Sequence, residues 1–241
     1  MDGYHSIPPK SGSLETLARL LSPQRFDTYV RAADRDLETA LRLYAWNIEI
    51  SSAFWGSFHM LEISLRNALH SQLSKLADQE EWWNSRLLLP RDTKRDLLHR
   101  DTIEEIRKAI TSATKKQSAK GLQTEPGHVV AELSLGFWNG MLANRYQQRL
   151  WENCLTYAFP HYAGRRGDIH IDLDRLRMLR NRIAHHEPIF ERDLAIDHEK
   201  ICGLIGYIEP EARVWVMNNS QIPKILSMKE RRLNGQLESS F

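Results

Sequence analysis

Apolar residues recur at helical spacing along most of the chain. Residues 1–13, "MDGYHSIPPKSGS", carry no such pattern and read as a flexible leader. "SLETLARLLS" predicts a short amphipathic helix, with Ser13 as its N-cap and Glu15 in its first turn. Pro23 suits the first turn of a second short helix, where its missing N–H costs nothing. From about Asp34 to Lys75 there is no proline, and Gly56 is the sole glycine. Leu41, Tyr44, Ala45, Ile48, Phe54, Phe58, Leu61, Leu65, Ala68, Leu69 and Leu73 recur along this segment at helical intervals. It predicts two helices or one kinked helix, with Gly56 or the Ser51–Ser52 pair as the weak point. A turn-rich stretch around Trp82–Trp83 follows, then a helix over roughly 92–114, a polar loop over 113–127, and a helix over roughly 128–157. Asp168 or Asp172 caps the next helix, which carries Leu173, Leu176, Met178, Leu179 and Ile183. Pro188 bars its continuation and biases Glu187 away from helical geometry. Helices over roughly 193–208 and after Pro210 precede a charged tail at 227–241. No run alternates long enough for a sheet; "IHIDL" is too short. The predicted class is all-α, with one helical domain over residues 14–226.

Composition narrows the picture. Of 241 residues, 41% are hydrophobic and 27% charged, an ordinary globular balance. The net charge is +2, so a nucleic-acid site is expected as a local patch rather than a global field. Cys154 and Cys202 are far apart and belong to no CxxC, which argues against a disulfide scaffold or a zinc ribbon and fits a reducing compartment. No signal-peptide pattern and no bilayer-length apolar run stand out. A cytoplasmic protein with no membrane partner is expected.

Chemistry concentrates in "RMLRNRIAHHEP", residues 177–188. It gathers Arg177, Arg180, Arg182, Asn181, His185 and His186. Four residues, Asn181 to Ala184, separate Arg180 from His185, five steps along the chain. At about 100° per residue they stand roughly 140° apart on an ideal helix, whereas Asn181 and His185 share a face. Unwinding ahead of Pro188 offers a way for His185 to approach Arg180. Such a pair suits metal-free RNA cleavage. The ribose 2′-OH attacks the adjacent phosphorus, and the 5′-oxygen leaves. Imidazole transfers protons near neutral pH. Guanidinium stays charged and binds the developing dianion. Asn181 can orient the phosphate or the imidazole. DNA lacks the 2′-OH, so the substrate is RNA. One imidazole does not easily take and give a proton in one step, so two copies across a two-fold axis, a homodimer, are expected. The competing reading is a solvated face, since cations near a helix C-terminus also complement its dipole.

"LRNRIAHHEPIF" resembles the arginine-to-histidine segment of HEPN-superfamily proteins, and more closely that of the Abi-like abortive-infection proteins. That segment carries a polar residue directly after the arginine, as Asn181 follows Arg180 here. "MLEISLRNALHSQL" resembles the family's early helix, and "ELSLGFWNGML" its mid-chain helix; the three appear in the family's order. The resemblance implies a HEPN-like helical bundle with additional helices, dimerisation, and metal-independent endoribonuclease activity used in phage defence or as a toxin. It implies Arg180, Asn181 and His185 as catalytic residues. His186, Glu62 and Arg66 are supporting candidates, and Arg177 and Arg182 candidate RNA contacts. No metal or other cofactor is expected. The resemblance to toxins also implies a restraining partner, an antitoxin protein or a small RNA. The alternative is a non-catalytic RNA-binding or antitoxin-binding module on the same fold.

Glu62, Arg66 and His70, at i, i+4 and i+8, lie along one helical face. Glu62 can serve an ordinary helical ion pair with Arg66, or line the cleft and hold Arg66 or Arg180. His59 reads equally as a core histidine. Trp82–Trp83 and Phe137–Trp138 can stack on bases but more often build core. "KK" at 115–116, "GRRG" at 164–167 and "KERR" at 229–232 are basic spots of the kind that track phosphates or stay solvated.

Overall fold

The computed structural model describes residues 16, 19–85 and 97–240. The helices run α1 Pro23–Ala32, α2 Leu37–Ala77, α3 Arg100–Ser118, α4 Pro126–Glu132, α5 Leu135–Met141, α6 Arg166–Ala184, α7 Leu194–Ile208, α8 Pro210–Asn219, α9 Ile222–Ser227 and α10 Lys229–Leu233. Among the described residues there is no strand, so the class is all-α, as the apolar spacing predicts. The leader, Ser13 and Glu15 lie outside the described residues.

Where the sequence left two helices or one, α2 is a single helix through Ser51, Ser52 and Gly56. A mid-helix glycine costs about 1 kcal/mol. Burial of Ile50, Phe54, Phe58 and Leu61, each 0% exposed, outweighs it. α3 starts at Arg100 and runs on to Ser118, past the expected end at 114, while residues 92–96 of the expected helix lie outside the described residues. Its last turn therefore enters the segment read as loop. Polarity alone does not stop a helix: Lys and Gln are good helix formers, and Gln117 is buried there. The stop comes at Gly121, whose φ of 70° suits the bonds from Gly121 N to Ser118 O and from Leu122 N to Gln117 O.

The expected helix over 128–157 is not one helix. α4 ends at Glu132, Leu133 turns extended, and Ser134 caps α5 by accepting the Phe137 N–H at 3.1 Å. Short 3₁₀ and π turns follow through Ala158. Asn153 donates to the carbonyls of Gln148 and Arg149, both at 2.9 Å, so side chains compete with the helical ladder here.

The chain divides into two compact units, and the division cuts α2 between Trp55 and Gly56. One unit draws on residues before Gly56, on Arg182–Ala195 and on the chain from Ser220. Its core holds Phe26, Tyr29, Leu43, Trp46, Ile50, Ile189, Ile222 and Ile225. The charged tail is part of it: Arg232 donates to Glu49 at 2.5 Å with both side chains 8% exposed, and the Lys229 ammonium sits 4.5 Å over the Trp46 ring. The other unit comprises Gly56–Asn181 and Ile196–Asn219. Leu61, Leu65, Leu69, Trp82, Trp138, Leu173, Leu176, Leu179 and Ile205 fill its core. There Lys116 and Ser112 of α3 both bond Glu132 of α4, each at 2.7 Å.

Candidate functional site

The candidate residues depend on how α6 starts and stops. It begins at Arg166, with Asp168 inside the first turn rather than at the cap, which favours the helix dipole. Arg166 is buried and holds the preceding irregular segment: it donates to the Leu142 carbonyl, to Gln147 Oε1 at 2.6 Å and to Asn144 Oδ1 at 3.3 Å. Ile169, Leu173, Leu176 and Leu179 form the buried stripe, while Met178, expected among the apolar positions, is 47% exposed.

The helix closes in an orderly way at Ala184. His186 N donates to Ile183 O at 3.0 Å, and Glu187 N donates to Arg182 O at 2.8 Å. This double closure is the Schellman pattern, with His186 at the position that glycine usually takes. His186 accordingly has φ of 56°, in the left-handed region. An Arg182–Glu187 ion pair at 3.3 Å joins the two residues whose backbones close the turn.

Arg180 and Asn181 belong to the unit of the long α2 half, whereas His185 and His186 belong to the other. Within the first, Arg180 Nε donates to Glu62 Oε1 at 3.1 Å. The side chains are 36% and 28% exposed, so the pair is half-buried. Of the two partners that the sequence left open for Glu62, the bond is to Arg180. Arg66 lies one turn on from Glu62, and its buried Nε has no hydrogen-bond partner among the described residues. Arg177 is taken up locally by Asp174, at 2.8 and 3.1 Å. Nearby Asp197, 0% exposed, accepts from Arg175 Nε at 2.5 Å.

Within the other unit, His185 and His186 are exposed at the end of α6, together with Arg182 and Glu187. The chain is fixed just beyond them, where Ile189 N donates to Asn47 Oδ1 at 2.8 Å. An exposed imidazole pair on a braced turn meets the access requirement for proton transfer to a bulky substrate.

Other sequence candidates resolve into structure. His70 Nδ1 accepts from Trp82 Nε1 at 3.0 Å, and burial lowers the His70 pKa, against a smaller opposing pull from Glu80. Trp82, Trp83, Phe137 and Trp138 are all buried, so they build core and offer no stacking platform. His59 is exposed, not a core histidine. Of the basic spots, Lys116 pairs with Glu132, Arg165 with Asp168 at 3.3 Å, and Arg232 with Glu49. The sequence reading missed Tyr29, Tyr44 and Arg25, which line a cavity with His186, Glu187 and Pro188. No spacing in the sequence links α1 to the turn after α6.

Among the described residues no three His, Cys, Asp or Glu side chains gather as a metal-binding set, and no helix is long and apolar enough to cross a membrane. A profile of the family described as Abi-like protein matches residues 14–191, more than half of the chain and the whole arginine-histidine segment. No curated protein and no solved structure matches.

Proposed function

The chain belongs to the Abi-like protein family, and from that premise we propose that it is a metal-independent endoribonuclease of the HEPN type, acting in abortive infection or as a toxin. The observation that carries the reading is the family match across Arg180, Asn181 and His185, with the Arg180 guanidinium fixed by Glu62 at 3.1 Å.

In this mechanism the 2′-OH attacks the neighbouring phosphorus and the 5′-oxygen departs. Arg180 stabilises charge as it grows on the non-bridging oxygens. Glu62 orients the guanidinium, so little reorganisation is needed when that charge appears. His185 exchanges the proton, and a second His185 from another copy of the chain supplies the opposite transfer. Asn181 holds the phosphate or imidazole in register. The rival module binds RNA or an antitoxin without cutting.

The test is incubation of purified full chain with labelled RNA in EDTA. Cleavage that persists with chelator and disappears in Arg180→Ala and in His185→Ala supports the enzyme. Tight binding without products in the wild type supports the module.

A further inference from the structure

Beside the turn after α6 lies a cavity of about 230 Å³, built wholly within one unit. Its walls include Tyr29 of α1, Tyr44 of α2, and His186, Glu187 and Pro188; Arg25, exposed, also lines it. The two phenol rings meet edge to face, 5.1 Å between centroids and 78° between planes. The volume falls below the roughly 300–1,000 Å³ of drug-sized sites. It takes one planar ring, not a whole nucleotide.

One group in the cavity wall is not accounted for by the fold. Tyr29 is 2% exposed, yet its hydroxyl has no hydrogen-bond partner among the described residues. Buried polar groups are almost always paired, because leaving one unpaired is costly. Burial, aided by Tyr44 and opposed by Arg25, raises the Tyr29 pKa above its ordinary range. The phenol therefore remains a proton donor in search of an acceptor. Glu187 brings the opposite chemistry. It is a carboxylate, paired among the described residues with Arg182 at 3.3 Å in an exposed pair, and such pairs exchange readily for another donor.

We propose that this cavity is a base subsite of the RNA strand, and that it selects keto bases, uracil or guanine. These two present a carbonyl directly beside a ring N–H. The carbonyl accepts from the Tyr29 hydroxyl, and the N–H donates to Glu187. Adenine has no carbonyl, and cytosine has no ring N–H on that edge. Arg25 lies exposed, suited to the flanking phosphate. The inference rests on the RNA reading above and adds what that reading lacks, a determinant of sequence preference next to His186.

The experiment uses full-length protein and fluorescent 2′-O-methyl oligo-U and oligo-C, which lack the attacking hydroxyl and survive in the wild type. Anisotropy titrations are expected to show oligo-U bound about tenfold more tightly, the scale of one good base-discriminating contact. Tyr29→Phe removes only the unpaired hydroxyl. It is expected to abolish the preference while leaving the thermal midpoint unchanged or raised. Glu187→Gln is expected to weaken the preference with Tyr29 intact. Equal binding of the two polymers by the wild type overturns the proposal, as does a preference that survives Tyr29→Phe. Cleavage of ordinary RNA without any base preference would overturn the subsite and leave the nuclease standing. A Tyr29-dependent preference without cleavage would do the reverse.

Discussion

Two stretches of this chain share nearly the same letters and meet opposite fates. Arg66–Asn67 with His70 sits in the middle of α2; Arg180–Asn181 with His185 and His186 sits at the end of α6. In mid-helix the imidazole is half-buried, accepts from the Trp82 indole, and has its pKa lowered by that burial. At the helix end both imidazoles are exposed on a turn closed by two backbone bonds. Residue type supplies the chemistry, and position in the helix decides whether the imidazole is taken up by packing or left exposed to solvent.

Activity is expected to separate the two stretches most. His185→Ala is expected to lower RNA cleavage by about 10²–10⁴-fold, the usual range for a lost proton-transfer group, with the thermal midpoint unchanged. A matching loss of cleavage in His70→Gln, at unchanged stability, would erase the distinction. On the packing side, Trp82→Ala is expected to cost about 3–5 kcal/mol in denaturant unfolding, as for any large aromatic truncated in a core.

Glu62→Gln links the two stretches chemically. The half-buried pair it breaks is worth less than about 1 kcal/mol, so the melting temperature is expected to hold. Cleavage by a less well-oriented Arg180 is expected to fall about tenfold, since misplaced groups commonly cost that much or more, read as kcat with little change in KM.

Acid sharpens the contrast further. Burial lowers the pKa of both His70 and His198 in the folded chain. The unfolded chain takes up those protons near its ordinary value of about 6.5. Below that pH the unfolded state binds more protons, so stability falls as pH drops. The melting temperature should decline from neutral pH downward, and His70→Gln should flatten the decline. His186 gives the smallest effect. Its left-handed φ suits glycine, so His186→Gly is expected to be neutral or to stabilise by less than about 1 kcal/mol, whereas His186→Val should lower the melting temperature.

The all-α class and the end of α6 were legible in the sequence, because apolar spacing and Pro188 act locally. So was a role for Glu62 in holding an arginine, although its choice of Arg180 over Arg66 depends on how two distant helices pack. The segment over 128–157 misled for a physical reason: it is apolar at helical spacing, but Ser134 and Asn153 offer the backbone competing hydrogen bonds. The extension of α3 to Ser118 was hidden by lysines that look like loop and serve as helix. Tyr29 and Tyr44 left no mark because each reads as ordinary core until the cavity they wall is seen.

The buried Arg232–Glu49 pair has a practical consequence for anyone handling the protein. A protease clipping ahead of Arg232 strands a carboxylate beside Trp46 and Ile50 with its counter-ion gone. Trimmed material would then lose stability and expose apolar surface, and a blank cleavage assay on it would not count against the proposed function. Intact mass should be checked before any negative assay is believed.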